Sequence, residues 1–302
     1  MLNCEKQKFV HFTMSMSLIL ICCLLSIFLL DTETIVKADS KTPSKVSPVP
    51  AGSRNSIPDY PRWESIVKGL QYSKLPLVSV NPILKSELYL LRVDPLLVTI
   101  VAADSASLLG KARADLKSIV KAKKGFAGIN ANFFDQFGKP LGVLIVDTER
   151  RNPLHSGGKL LTGIFQIRNG IPAIIHRSDF EPEMLSLAVQ AGPRVVVAGK
   201  AVTVSSPEQK SRRSGVAISS DGAVIFYATS LRFPGTSLVD IQSTLLGSGL
   251  GIVDALNLDG GGSSQLYFVK NENQLNDANG DEVFISGGDV IPAALVVVPR
   301  AP

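Results

Sequence analysis

Cysteine is confined to one end of the chain: all three, Cys4, Cys22 and Cys23, precede residue 24. The remainder therefore has no disulfide, thiol nucleophile or thiolate metal site. Histidine is nearly as scarce. Beyond the first residues only His155 and His176 remain, and neither has ligand-like spacing to the other or to a pair of carboxylates, which speaks against a histidine-based zinc site. A Ser-His-Asp hydrolase is also unsupported, because Ser263 and Ser264 lack a nucleophile-elbow context. One Trp and five Tyr offer few stacking platforms, and no basic cluster is interleaved with them. The composition thus argues against a nucleic-acid partner.

Long apolar runs are missing with one exception. Lys6 and Lys8 precede Leu18 to Leu30, a run of 13 residues without charge, which suits a signal-peptide core and is short for a membrane span. Val36-Lys37-Ala38 gives a cleavage site before Asp39. Extended back to Met14, the stretch reaches 17 residues, so an uncleaved anchor over 14–30 is the competing reading. Either one predicts an exported chain, periplasmic or extracellular. Leu20 and Ile21 before Cys22 do not make a lipoprotein box, whose residue before the cysteine is small.

Lys and Arg number 31 and Asp and Glu 26, with three of each sign in residues 1–38. The surplus of five is mild. It serves solubility, and more weakly attraction to anionic envelope polymers or phosphorylated substrates.

Residues 1–38 are thus assigned as signal peptide or N-terminal anchor and 39–80 as linker and N-terminal extension, with 81–302 as one domain. From Asp39 to about Arg54 the chain is rich in Lys, Pro, Ser and Val with little to bury, as in a linker. Trp63 to Leu75 is read as a short helix. Strand-like patterning then begins near Glu87, with runs at 87–93, 96–103, 163–175, 194–204 and 215–228. Asn169-Gly170, Gly199-Lys200 and Asp221-Gly222 sit between apolar runs as hairpin loops do. Helical spacing marks Ala106 to Lys123 and Ser237 to about Leu250. The expected fold is α+β: a single strand-rich domain on a mixed or antiparallel sheet with two or three helices.

The stretch with most chemical content is VDALNLDGGGSSQLYF at 253–268. Asn257-Leu258-Asp259 ends a buried strand, Gly260, Gly261 and Gly262 follow, and Ser263 and Ser264 precede the next strand. Three successive glycines suit a backbone with positive φ, or a ligand approaching main-chain N–H groups. With the carboxylate and two hydroxyls they form a small polar nest for an anion or a sugar. The competing reading is a glycine-rich turn. The run lacks the ending of a P-loop and the spacing of a dinucleotide fingerprint.

LNLDGGGSS after a helix resembles the signature of the phosphodiester glycosidase family, hydrolases that remove a sugar from a sugar-1-phosphodiester. Gly128-Ile129-Asn130-Ala131-Asn132-Phe133-Phe134 resembles the family's asparagine-and-aromatic motif. Gln190-Ala191-Gly192-Pro193 resembles its Q-[SA]-G-P turn, Arg213-Ser214-Gly215-Val216-Ala217 its R-T-A-[IV]-G strand, and the closing IPAALVVV its last strand. The match runs from about Glu87 to Pro299. Ser214-Gly215 stands where Thr-Ala is usual, and Ala217 replaces a glycine. Gly288-Asp289 stands where the family often has an arginine.

The resemblance implies a sugar-phosphate substrate, in an envelope glycan or glycolipid. Cleavage releases a phosphate monoester with a second pKa near 6, so its departure needs little protonation, unlike the alkoxide that obliges most glycosidases to keep a carboxylic acid. One carboxylate then suffices. Asp259 is the candidate, as base or nucleophile at the anomeric carbon or as stabiliser of an oxocarbenium-like state. Arg213 is the candidate phosphate grip, for which a planar fork is suited; on residue type alone it is a surface arginine beside Arg212. Asn130, Asn132, Gln190 and Asn257 are candidates for sugar hydroxyls, or for capping turns and satisfying buried backbone. Gly260, Gly261, Gly262, Ser263 and Ser264 complete the candidate substrate contacts. Asp135 is a second acid of the cleft or a turn residue. No motif calls for a cofactor. The oxygen-rich run Asn276 to Glu282 is faintly like a calcium loop without its terminal glutamate, and otherwise a solvated hairpin tip. A non-catalytic envelope protein that binds a phosphorylated glycan is the rival reading.

Overall fold

The computed structural model describes residues 61–77, 86–230, 235–271 and 281–300. Its strands are β1 (Glu64–Val67), β2 (Leu70–Pro76), β3 (Glu87–Val93), β4 (Val98–Asp104), β5 (Ala127–Asn130), β6 (Leu144–Val146), β7 (Glu149–Asn152), β8 (Gly163–Arg168) and β9 (Ile171–His176). The second half adds β10 (Leu185–Ala191), β11 (Arg194–Val197), β12 (Lys200–Ala201), β13 (Ser214–Ser219), β14 (Val224–Thr229), β15 (Ile252–Asn257), β16 (Leu266–Val269), β17 (Glu282–Ile285) and β18 (Ala293–Pro299). Three α-helices accompany them among the described residues: α1 (Ser105–Leu109), α2 (Leu116–Ala122) and α3 (Leu238–Gly247).

The strand-rich α+β expectation holds, but the strands form three sheets rather than one. The first has the order β1-β2-β3-β14-β13-β15-β11-β12, the second β7-β6-β10-β8-β9 and the third β17-β16-β5-β18-β4. Hairpin partners such as β8 and β9 are adjacent, whereas β14 joins β3 and β13 joins β15 across long stretches of chain. Every described pairing is antiparallel.

One apolar core unites the sheets: Leu91, Phe226 and Leu256 from the first meet Phe165 and Val189 from the second and Ile129, Phe268 and Val296 from the third. Helix α3 covers the opposite face of the first sheet, burying Leu238, Ile241 and Leu245 against Val195, Ala217 and Tyr227. Its start is fixed by a capping box, in which the Ser237 hydroxyl accepts from Asp240 N and the Asp240 carboxylate accepts from Ser237 N, both at 3.1 Å.

Two helical readings are corrected. The segment read as a helix over Trp63 to Leu75 is the hairpin β1–β2, turned at Gly69, whose φ of 90° an L side chain rarely adopts. The helix over Ala106 to Lys123 is two helices. Gly110 ends the first in the left-handed region with φ 65°, and Asp115 caps the second by accepting from Ser118 N at 2.9 Å.

Candidate functional site

Strand ends from all three sheets converge on one region. β15 ends at Asn257, β5 at Asn130 and β10 at Ala191, while β13 begins at Ser214. In extended chain alternate side chains share a face, so buried Leu258 points to the core while Asn257 and Asp259 point the other way. Arg212 and Arg213 diverge for the same reason. Arg212 donates to the carbonyl of Ser286 and, at 3.5 Å, to that of Ser230, whereas Arg213 turns inward.

A cleft of about 790 Å³ lies here. Asp259, Arg213, Asn257, Gly260 and Gly261 line it, together with Phe133, Lys159, Leu160, Gln209 and others. Asn130, Asn132, Gln190, Gly262, Ser263 and Ser264 stand outside this lining.

Asp259 is held mainly through its backbone. Its carbonyl accepts from Asn130 Nδ2 at 2.8 Å and Ser214 Oγ at 2.9 Å, and its N–H donates to Ala131 O at 3.2 Å. Burial raises its carboxyl from the ordinary 3.8 to about 6, against hydrogen bonds from Ser263 and the Gly260 backbone; the nearby Asp289 charge adds a smaller rise. Such a carboxyl exchanges its proton near neutrality, as acid–base chemistry requires.

Arg213 is 8% exposed. Its Nε donates to Thr236 O at 3.2 Å and Nη2 to Gln209 O at 2.8 Å. No carboxylate pairs with it among the described residues, and burial lowers its pKa. A desolvated guanidinium bound only to carbonyls keeps its charge available to an anion. Next to it, a Cβ on Gly215 would overlap the Tyr227 ring, which accounts for glycine where alanine is usual.

The amide nitrogens of the remaining candidates are used inside the wall, while Asn132 Oδ1 and Asn257 Oδ1 have no hydrogen-bond partner among the described residues. Gln190 is fully buried. Its Nε2 donates to His155 O (2.7 Å) and Leu161 O (2.9 Å), and its Oε1 accepts from Val143 N and His155 N (2.9 Å each). Asn132 Nδ2 donates to Val143 O and Gln190 O, both at 3.1 Å. Asn257 Nδ2 donates to Gly192 O at 2.9 Å and Leu258 O at 2.7 Å. Asn130 Oδ1 accepts from Gln265 N at 3.0 Å.

In the triple glycine, Gly261 has φ 62° and its N–H donates to Arg212 O at 3.0 Å. A Cβ on Gly262 would overlap the Asp289 carboxylate, so a larger residue there would displace that exposed side chain. Asp289 is exposed; its N–H donates to Gly262 O at 3.1 Å and its carbonyl accepts from Gln265 Nε2 at 2.8 Å.

Asp135 is a turn residue, accepting from Phe137 N and Lys139 N at 2.9 Å each. The calcium-like run falls largely outside the described residues. Within them, Asp281 pairs with Lys270 at 2.9 Å, and Glu282 with Lys117 and, at 3.4 Å, Lys121. No group of three His, Cys, Asp or Glu suited to a metal occurs among the described residues.

Motif reading did not single out Lys159 or Gln209. Neither sits in a motif; the Lys159 segment is held by distant Gln190 and Arg177, and Gln209 by bonds to nearby Ser206 and Arg213.

Antiparallel sheets whose ends bring a carboxylate and an arginine without an acidic partner among the described residues to one cleft make up the candidate site. The sequence matches the phosphodiester glycosidase (NAGPA) model over residues 124–298, more than half of its length, and the chain belongs to that family. No curated protein matches it. Among solved structures it is similar to the catalytic domain of zebrafish N-acetylglucosamine-1-phosphodiester alpha-N-acetylglucosaminidase auto-inhibited by its pro-peptide. That likeness has 17% identity, TM-score 0.59, and covers 83% of this chain and 95% of that one. It is also similar to a hypothetical protein from Synechocystis, with 17% identity, TM-score 0.55 and 80% of this chain covered. The chain spans 64% of that protein's length.

Proposed function

We propose that the chain is an exported phosphodiester glycosidase that releases the sugar from a sugar-1-phosphodiester of an envelope glycan or glycolipid. The observation that carries this reading is the pairing, in one cleft, of a carboxyl poised near neutrality with a buried arginine that no acid among the described residues neutralises. Arg213 holds the phosphate. Asp259 takes a proton from the water that attacks the anomeric carbon. The C1–O bond breaks, and its electron pair goes to the phosphate oxygen. Because the departing monoester has a second pKa of about 6, it needs no dedicated acid, and one carboxylate completes the reaction.

Export rests on the apolar run at 14–30, which lies outside the described residues. Among the described residues no helix is long and apolar enough to cross a membrane.

A second reading, a non-catalytic protein that binds a phosphorylated glycan, is motivated by Gly288-Asp289, which stands where the family often has an arginine. Hydrolysis of a panel of sugar-1-phosphate diesters, with and without chelator, separates the two. The glycosidase reading expects free sugar from the wild type and a loss of about 10²–10⁴-fold in Asp259→Asn, as for removal of a positioned base. Saturable binding of the panel without turnover would sink it and support the second reading.

A further inference from the structure

Lys159 lines the same cleft as Arg213 and Asp259, and no acidic partner pairs with it among the described residues. Its surroundings are unusual for a solubilising lysine. Gly157 and Gly158 precede it, which alone would leave the segment loose. Instead the segment is fastened from two sides. Gln190 grips both the N–H and the carbonyl of His155 and also Leu161 O. Arg177 donates to Gly157 O, to Gly158 O at 2.7 Å and to Leu161 O at 3.3 Å, while its own N–H donates to Thr162 O at 3.0 Å. Gly192 lets Leu160 O pack where any Cβ would overlap it. A guanidinium spent wholly on loop carbonyls serves the loop's shape, and what the loop presents to the cleft is Lys159 beside Leu160.

We propose that Lys159 is a second phosphate-binding cation of the cleft, and that Arg177 and Gln190 are positioning residues acting through it. The inference rests on the phosphodiester reading of the site. As the C1–O bond breaks, the phosphate passes from one negative charge towards two, so a fixed cation beside it gains more in the transition state than in the ground state. Lys159 is exposed and solvent screens it, so its effect is smaller than that of buried Arg213.

The test uses the full chain with Lys159→Ala, Lys159→Arg, Arg177→Ala and the double variant. Binding of α-glucose 1-phosphate is followed by calorimetry, and hydrolysis of its methyl ester is followed in parallel. Lys159→Ala is expected to weaken binding and kcat/KM about tenfold and to flatten their salt dependence, with Lys159→Arg restoring most of both. Arg177→Ala should match Lys159→Ala, and the double variant should be no worse than either, as for two residues acting as a unit. If Arg177→Ala does not fold, Arg177→Lys, which keeps the charge and loses the fork, enters the same cycle. Lys159→Ala indistinguishable from wild type overturns the proposal, as does absence of binding by the wild type. Additive losses in the double variant remove Arg177 from its role. Binding that depends on Lys159 without any hydrolysis sinks the glycosidase reading and leaves the cation in place. Hydrolysis unaffected by Lys159→Ala does the reverse.

Discussion

Replacing Asp259 with asparagine should stabilise the folded chain at neutral pH and, on the glycosidase reading, abolish turnover. The carboxyl is shifted from 3.8 to about 6 chiefly by burial. Because the folded value lies above the unfolded one, the stability contributed by its proton is fully present below pH 3.8 and lost as pH rises through about 6. At about 1.4 kcal/mol per pH unit the full cost of the ionised group is about 3 kcal/mol; partial solvent access reduces this to about 2. Asparagine keeps an acceptor for the Gly260 N–H and carries no charge to desolvate. In a domain of this size about 2 kcal/mol corresponds to roughly 4–8 °C in Tm. Thermal melts of wild type and Asp259→Asn at about pH 7.5 and about pH 4 check this: the variant should lead at the higher pH and the gap should close at the lower one. A gap of the same size at both pH values, or a variant less stable than wild type at neutral pH, would refute the assignment of the shift to burial.

Asp289 adds to the rise at Asp259 by like charge, so Asp289→Asn should move the acidic limb of the pH–rate profile towards lower pH, read from kcat/KM between about pH 4 and 8. An unmoved limb would uncouple the two carboxylates. Gly192→Ala, at φ 156° and against Leu160 O, should cost about 3 kcal/mol or more in denaturant unfolding; a loss under about 1 kcal/mol would mean that the loop yields easily.

Local signals in the sequence survived folding where a short segment decides its own shape. Asn169-Gly170 makes a hairpin because both residues adopt positive φ, 51° and 79°. The helix over Ser237 to Leu250 carries its own cap and apolar face. The reading failed where apolar spacing was ambiguous, as at Trp63 to Leu75, where a single glycine turns the chain back on itself. Three sheets were not legible because pairing between β3 and β14, or β13 and β15, depends on contacts far apart in sequence. At the site, Asp259, Asn257 and Arg213 were recognisable because strand-end motifs carry them. The structure adds that Gln190, a motif residue, has all four of its hydrogen-bonding positions occupied by backbone, and that Lys159 owes its place to Arg177 and Gln190 rather than to its neighbours in sequence.

The fastened loop at 155–161 also bears on how a cleft of the proposed function would discriminate. Its conformational entropy is given up during folding, not at the moment a ligand arrives, so its side of the entrance is an aperture of fixed width rather than a flap that closes. On the glycosidase reading, selection there would proceed by admission: an ester matching the opening would enter a surface already in its final shape, and one that does not would be turned away without that loop moving.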